Sequence, residues 1–239
     1  MSGTAWHTLF DIAAWIAAAA AGLWVSRVKS VRFPASSFAL PYLSALVFGA
    51  GIGAYMFGTL NLWCSGQSGI ARSVEGAIAG GVIAIELYKL LAGIKMRTGA
   101  RFALPLAIGI AVGRIGCYGA GLDDFTYGTP TSLPWGHDFG DGIARHPVQI
   151  YESIAMFGFA VFYGSAVIAK NCFVIRNGFY LALAFYALQR FAWEFLKPYG
   201  PVIGPLSIFH LLSIAIAAYA IVMIATDPSS ELTNEHAVA

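Results

Sequence analysis

Residues 205–226 read PLSIFHLLSIAIAAYAIVMIAT, and this run contains no Asp, Glu, Lys or Arg. A helix needs about 20 mostly apolar residues to cross the hydrocarbon core of a bilayer. The run is therefore long enough to span a membrane, and it predicts an integral membrane protein.

Six further stretches upstream have the same character, and the whole composition agrees with them. Only 11% of the 239 residues are charged and 58% are hydrophobic, whereas a soluble domain carries roughly a quarter charged residues. The first stretch has no basic residue before it, which favours a retained helix over a signal peptide. We expect an all-α membrane protein of about seven transmembrane helices, with the other six at 6–25, 38–58, 76–94, 102–120, 149–169 and 178–196.

Outside the predicted spans, the sequence has one long loop and one polar C-terminal tail. Residues 121–148 are rich in Gly, Pro and Asp and predict a small structured loop or head. Its aspartates could bind a divalent cation, although a solvated loop is the interpretation that their irregular spacing favours. We predict a single transmembrane domain at 1–226 and a polar cytoplasmic tail at 227–239. The net charge of +2 gives no indication of a nucleic-acid partner.

Lysine and arginine are unevenly divided between alternate loops, which predicts the orientation. The first, third and fifth loops hold eight basic residues: Arg27, Lys29, Arg32, Lys95, Arg97, Arg101, Lys170 and Arg176. The second, fourth and sixth loops hold three, which are Arg72, Arg145 and Lys197. The N-terminus is then outside, the C-terminus is cytoplasmic, and the loop at 121–148 is external.

With this orientation, the ionisable residues within the spans gather in the outer leaflet. Charges inside a membrane are costly and usually functional. Arginine can donate two parallel hydrogen bonds to a phosphate, so the set suggests a site for an anionic head group, with a structural ion-pair network as the alternative. Its members are Glu75, Arg114, Tyr151, Glu152, Arg190, Glu194 and His210.

Four motifs over roughly residues 70–215 give a more specific indication. GRIGC begins at Gly113, GTPTSLPWG at Gly128, ARHPVQIYES at Ala144 and RFAWEF at Arg190. In this order they resemble the prolipoprotein diacylglyceryl transferase family. Its four corresponding motifs are Gly-Arg-x-Gly-Asn, Gly-x-Pro-Thr-x-x-Pro-Trp-Gly, Arg-His-Pro-x-Gln-x-Tyr-Glu and Arg-Phe-x-x-Glu-Phe. The motifs and the placement of the ionisable residues together predict these substrate-binding residues: Arg145, His146, Gln149, Tyr151, Glu152, Glu194 and His210.

The resemblance implies a transferase of the bacterial cytoplasmic (inner) membrane. Such an enzyme moves a diacylglyceryl group from phosphatidylglycerol to an acceptor, which is the thiol of a lipoprotein precursor or another acceptor. Arg114 and Arg190 would hold the phosphate while charge builds on the leaving oxygen. No metal or organic cofactor is expected, and no pair among the three cysteines has the spacing of metal ligands.

Two departures from the family pattern bear on the acceptor side of the reaction. Glu75 stands where the family has a histidine, and Cys117 stands where it has an asparagine. Asp123 or Asp124 would replace a family glutamate. His146 and His210 are alternative bases, and Cys117 is either a small packing residue or a thiol activated by Arg114.

Three functions are compatible with these residues. The first is the membrane transferase, with Glu75, Arg114, Asp123, Asp124 and Arg190 as its catalytic residues. The second is a non-catalytic lipid-binding or accessory subunit of a membrane protein complex. The third, a transporter, would require polar residues in both leaflets, whereas these are predicted to crowd the outer one.

Overall fold

The computed structural model describes residues 3–28 and 40–227, which form a bundle of seven helices. The helices are α1 (Gly3–Arg27), α2 (Leu40–Cys64), α3 (Val74–Leu91), α4 (Ala103–Ala120), α5 (Val148–Ile168), α6 (Cys172–Glu194) and α7 (Ile208–Ala225). Short 3-10 turns flank α4 at Gly99–Phe102 and Gly121–Asp124. The predicted all-α architecture of about seven helices is confirmed.

Six of the seven helical segments are long and apolar enough to cross a membrane. The exception is α3, which has 18 residues and carries Glu75, Glu86 and Lys89. The chain is therefore a multi-pass membrane protein, while its orientation stays a prediction. Lys29, Arg32 and the predicted tail from residue 228 onward lie outside the described residues.

Helix α6 begins six residues before its predicted start at residue 178. The Asn171 side chain accepts a hydrogen bond from the Val174 backbone N–H and caps the new first turn. The sequence pattern missed this turn because Arg176 and Asn177 interrupt its apolar run.

Glycine permits an unusually close approach between α2 and α3. A Cβ atom added at Gly53 would collide with the Gly76 carbonyl oxygen, and one added at Gly80 would collide with that of Gly49. Small residues at such an interface let two helix backbones touch, which is a common basis of helix association in lipid. This contact fixes the first turn of α3, and with it the position of Glu75.

The loop between α4 and α5 is ordered by its own hydrogen bonds. Strands β1 (His137–Asp138) and β2 (Ala144–Arg145) pair in antiparallel fashion. Asp138 Oδ1 accepts hydrogen bonds from the backbone N–H groups of Gly140, Asp141 and Gly142, at 2.8 to 3.1 Å. The Thr129 N–H donates to the Leu196 carbonyl at 2.6 Å and ties the loop to the end of α6. The predicted structured loop is thus present.

Candidate functional site

Six charged side chains from four helices and the segment after α6 meet in one buried cluster, which we call the charged cluster. It comprises Glu75, Arg114, Glu152, Arg190, Glu194 and Lys197, each no more than 6% exposed. Three carboxylates therefore face three cations. Buried charges are tolerated when they are paired and hydrogen-bonded, and the cluster is neutral as a unit.

Arg190 lies at the centre of the charged cluster and contacts all three carboxylates. Its Nε donates to Glu75 Oε2 at 3.1 Å, and its Nη1 donates to Glu152 Oε1 at 2.9 Å. Its Nη2 lies 2.9 Å from Glu194 Oε2, one helical turn away. The Phe209 ring covers one face of the guanidinium at 5.0 Å. Each of the three nitrogens is engaged, so Arg190 has little capacity left for a phosphate.

Glu152 connects Arg190 to the other two cations. It forms an ion pair with Arg114 Nε, and its Oε1 accepts from Lys197 Nζ at 2.8 Å. The Nη1 of Arg114 makes only a long contact, 3.8 Å, with Cys117 Sγ. Arg114 is therefore the arginine of the cluster with donors left for a ligand.

Glu75 is held on both oxygens. Ser213 on α7 donates its hydroxyl proton to Oε1 at 2.6 Å, and Arg190 donates to Oε2. The Ser73 side chain caps the beginning of α3, accepting from the Gly76 N–H at 3.1 Å. A carboxylate engaged on both oxygens is poorly placed to remove a proton from a substrate.

His210 is connected to the charged cluster by hydrogen bonds through Ser207. The Ser207 hydroxyl donates to Glu194 Oε1 at 2.6 Å, and the Ser207 N–H donates to His210 Nδ1 at 3.0 Å. Because Nδ1 accepts, the ring proton of neutral His210 is on Nε2, which is buried and has no hydrogen-bond partner in the described part of the chain. The lone pair that a base would need is already occupied.

Lys197 and Ser213 belong to the site although sequence reasoning missed both. The sequence predicts Lys197 as a loop charge, yet its side chain is fully buried between Glu152 and the arginines. Burial, followed by repulsion from Arg190, lowers the pKa of its ammonium to about 8. Its position three residues after Glu194, directly after the end of α6, could have indicated it.

Arg145, His146 and Tyr151 contact the loop between α4 and α5, and the Tyr151 ring also packs against Trp193 of α6 at 5.2 Å. Arg145 Nη1 donates to Asp141 Oδ1 at 2.6 Å, and this hydrogen bond holds the pKa of the Asp141 carboxyl below its ordinary value. Tyr151 accepts from Trp135 Nε1 at 2.8 Å and lies 3.4 Å from His146 Nδ1. Their role in substrate binding stays a prediction.

Asp123 and Asp124 lie in the 3-10 turn after α4, next to the first residues of α1. Asp124 Oδ1 is 2.6 Å from His7 Nε2, and its Oδ2 accepts from the Thr126 hydroxyl at 2.5 Å. Asp123 lies beside Gly3 at the beginning of α1, where an added Cβ would come within 2.9 Å of Asp123 Oδ2. Their assignment as catalytic residues also stays a prediction.

Several buried polar atoms near the charged cluster have no hydrogen-bond partner among the described residues. They include both amide atoms of Gln149 and the hydroxyl of Tyr186, on side chains that are fully buried. Gln149 precedes Glu152 by one turn, and Tyr186 precedes Arg190 by one turn. Buried polar groups in native proteins are nearly always satisfied, so these atoms require water or a polar ligand.

An apolar cavity of about 360 Å³ follows α3, and its lining includes none of the residues of the charged cluster. It is lined by Val74 and Ile78 near the level of Glu75, and by Glu86 at its other end, with Tyr42 and Tyr219. Twelve residues of helix rise by about 18 Å. One leaflet of hydrocarbon is roughly 15 Å thick, so the cavity has the length and polarity that suit one lipid tail.

Comparisons with known proteins point to one family. The family model described as prolipoprotein diacylglyceryl transferase matches residues 5–226. Proteins named phosphatidylglycerol–prolipoprotein diacylglyceryl transferase are similar to this chain. The one from Geobacter sulfurreducens is 28% identical over 181 residues, which are 70% of this chain and 68% of that protein. The one from Nitratidesulfovibrio vulgaris is 30% identical over 171 residues, 68% of this chain and 63% of the relative. No solved structure shows a significant match.

Proposed function

The chain belongs to the prolipoprotein diacylglyceryl transferase family, and from that premise we propose that it moves a diacylglyceryl group from phosphatidylglycerol to the thiol of a lipoprotein precursor. The names of its relatives support these substrates. We also propose that it acts in the bacterial inner membrane, with the charged cluster in the outer leaflet, as the distribution of basic residues predicts.

The observation that carries the proposal is the unequal engagement of the two arginines. Arg190 binds three carboxylates, whereas Arg114 binds one and keeps its outer nitrogens for a ligand. Arg114 is accordingly the phosphate-binding residue, and Arg190 is a positioning residue. Its contacts with Glu152 hold that carboxylate against Arg114 Nε and thereby orient the guanidinium.

The reaction breaks the bond between the glyceryl carbon and the phosphate oxygen. A thiolate sulfur attacks the carbon, and glycerol phosphate leaves with the electron pair. Negative charge increases on the leaving oxygen, where cations already fixed in a water-poor site stabilise it effectively. Arg114 supplies that stabilisation directly, and Lys197, held 2.8 Å from Glu152, adds positive potential.

The apolar cavity supports the lipid half of the proposal. A diacylglyceryl donor presents a charged head group and two hydrocarbon tails, so its site must join a cationic pocket to an apolar channel. The cavity along α3 begins one turn from Glu75 and is bordered by α2, α4, α6 and α7. The head group would lie at Arg114, near the unpartnered Gln149 and Tyr186, and one tail would occupy the cavity.

The test is a turnover assay with the purified protein, labelled phosphatidylglycerol and a peptide that carries the acceptor cysteine. Arg114→Ala should lower turnover by at least about 100-fold, the usual cost of removing one preorganised donor to a developing charge. Arg72→Ala is the matched control, since Arg72 is 59% exposed and lies 3.8 Å from Asp11. Turnover by Arg114→Ala at the rate of the control would overturn the assignment.

A non-catalytic lipid-binding subunit is the second candidate, and the neutrality of the charged cluster favours it. Three carboxylates already balance the three cations, and neither Glu75 nor His210 offers a free base. Such a subunit would co-purify with phosphatidylglycerol, measured by native mass spectrometry, and would release no glycerol phosphate in the turnover assay. Release of glycerol phosphate by the wild-type protein would exclude this candidate.

A further inference from the structure

Three side chains outside the charged cluster form a group with the donor atoms of a metal site. His7 on α1, Cys117 on α4 and Asp124 in the turn after α4 place one ligand atom each within 4.8 Å of one another. Among the described residues they are the one such group of three His, Cys, Asp or Glu side chains. The sequence gives no sign of it, because His7 and Asp124 are 117 residues apart.

The combination of donors indicates the metal. An imidazole nitrogen, a thiolate sulfur and a carboxylate oxygen form a typical donor set for Zn²⁺, which binds all three at about 2.0 to 2.3 Å. The His7 and Asp124 atoms are now 2.6 Å apart. Tetrahedral coordination places ligand atoms about 3.3 to 3.7 Å apart, so this pair would open by under about 1 Å. Cys117 Sγ, which lies within 4.8 Å of both atoms, would complete the set of three.

The site is also partly exposed at the surface of the helix bundle. The side chains of His7 and Asp124 are 22% and 16% exposed, so an ion can enter. Thr126 donates to the second oxygen of Asp124 at 2.5 Å, and such an outer hydrogen bond orients a ligating carboxylate. Zinc sites with three protein ligands keep a fourth position for water or substrate.

We propose that His7, Cys117 and Asp124 bind Zn²⁺ and that the fourth coordination position receives the acceptor thiol as a thiolate. The second half of this inference rests on the proposed function. Zinc deprotonates a coordinated thiol at neutral pH, and the thiol proton passes to solvent water. The sulfur then attacks the glyceryl carbon, and glycerol phosphate departs with the electrons of the broken carbon–oxygen bond.

The position of the group beside the phosphate site makes this role geometrically coherent. Cys117 Sγ is 3.8 Å from Arg114 Nη1, so a thiolate on the metal would lie next to a phosphate held by Arg114. The metal site would also activate the acceptor thiol, for which the charged cluster offers no free base. Glu75 is engaged on both oxygens and His210 on Nδ1, whereas a metal-bound thiol needs no protein base.

Metal binding is tested first, without reference to turnover. The full chain in detergent micelles is stripped with a chelator and titrated with Co²⁺, whose bond to a thiolate gives a charge-transfer absorption band. We expect this band to saturate at about one ion per chain and to vanish on addition of Zn²⁺. Absence of a saturable band in the wild-type protein would overturn the metal site.

Variants show whether Cys117 is the thiolate. Cys117→Ser should abolish the band and His7→Ala should weaken Co²⁺ binding by at least about 10-fold. Cys64→Ser and Cys172→Ser are matched controls, since both cysteines are exposed and lie away from the group. A band that survives Cys117→Ser, or disappears in either control, would overturn the assignment. Because Cys117→Ser could fail to fold, His7→Ala provides an independent test on another helix.

The thiol-binding step has its own readout. Adding a peptide with the acceptor cysteine to the Co²⁺-loaded protein should strengthen the charge-transfer band, because a second thiolate joins the ion. The same peptide with serine in place of cysteine should leave it unchanged. An unchanged band with the cysteine peptide would overturn thiol binding while the metal site stands. Turnover that resists complete metal removal would overturn the activating role, and a metal band in a protein without turnover would count against the proposed function alone.

Discussion

Replacing Glu152 by glutamine keeps the size of the side chain and removes one negative charge from the centre of the charged cluster. Glu152 is fully buried and contacts Arg114, Arg190 at 2.9 Å and Lys197 at 2.8 Å. The cations would then outnumber the carboxylates by one around a side chain that is fully buried. Removing one partner of a buried ion pair costs about 3 to 5 kcal/mol.

This cost should appear as a large loss of thermal stability. Each kcal/mol corresponds to about 2 to 4 °C for a domain of 150 to 250 residues, so the melting temperature of Glu152→Gln should fall on the order of 10 °C. It is measured on the purified protein in detergent micelles by intrinsic tryptophan fluorescence. Asp141→Asn is the control, because its partner Arg145 lies in the loop between α4 and α5 and its carboxylate is partly exposed. That change should leave the melting temperature within error of wild type.

A second variant tests the reasoning about charge balance itself. Glu152→Gln combined with Lys197→Met removes one charge of each sign, so it should recover part of the stability lost in Glu152→Gln alone. If Glu152→Gln melts within about 2 °C of wild type, far below the loss expected for a broken buried ion pair, the cluster is not a dry, mutually neutralised unit. If the double variant is less stable than both single variants together predict, charge balance is not what the cluster requires.

Three further outcomes follow from individual contacts. Burial lowers the pKa of Lys197 from 10.5 to about 8. Between about pH 8 and about pH 10.5 the unfolded chain therefore binds more protons than the folded one, and the free energy of unfolding should rise with pH. The difference between the melting temperatures of the wild-type protein and Lys197→Met across this pH range tests the expectation. Gly53→Leu should abolish folded protein, judged by size-exclusion chromatography, whereas Gly51→Leu should not, since an added Cβ at Gly51 meets nothing within 4 Å. Ala77→Phe should fill part of the apolar cavity and raise the KM for phosphatidylglycerol several-fold. Ile83→Phe should leave this KM unchanged, because Ile83 is 62% exposed and does not line the cavity.

The helices were largely predictable because membrane spans follow from composition and length alone. The predicted spans at 102–120 and 149–169 differ from α4 and α5 by at most one residue at each end. The error at α6 arose where Arg176 and Asn177 face Asp227 rather than lipid. Arg176 Nε donates to Asp227 Oδ2 at 2.6 Å and Asn177 donates at 2.9 Å, so polar residues extend the helix instead of ending it. Asp227, predicted as the first residue of the tail, is buried in this contact.

The candidate site was predictable in part. Glu75, Arg114, Glu152, Arg190 and Glu194 stand out because a charge within a span must find a partner. Which of them contact each other did not follow from that rule. The number of carboxylates on Arg190, and hence the distinction between Arg190 and Arg114, depends on how α3, α5 and α6 pack together.

That this protein is a helical membrane protein with ionisable groups inside its spans follows from its amino-acid sequence, because hydrophobicity and the cost of a buried charge act locally along the chain. The packing of the helices buries Lys197 instead of leaving it exposed in a loop, and it leaves Arg114 with donors for a ligand. It alone brought His7 to Cys117 and Asp124. Contacts between residues far apart in sequence are set by helix packing, and no local pattern records them.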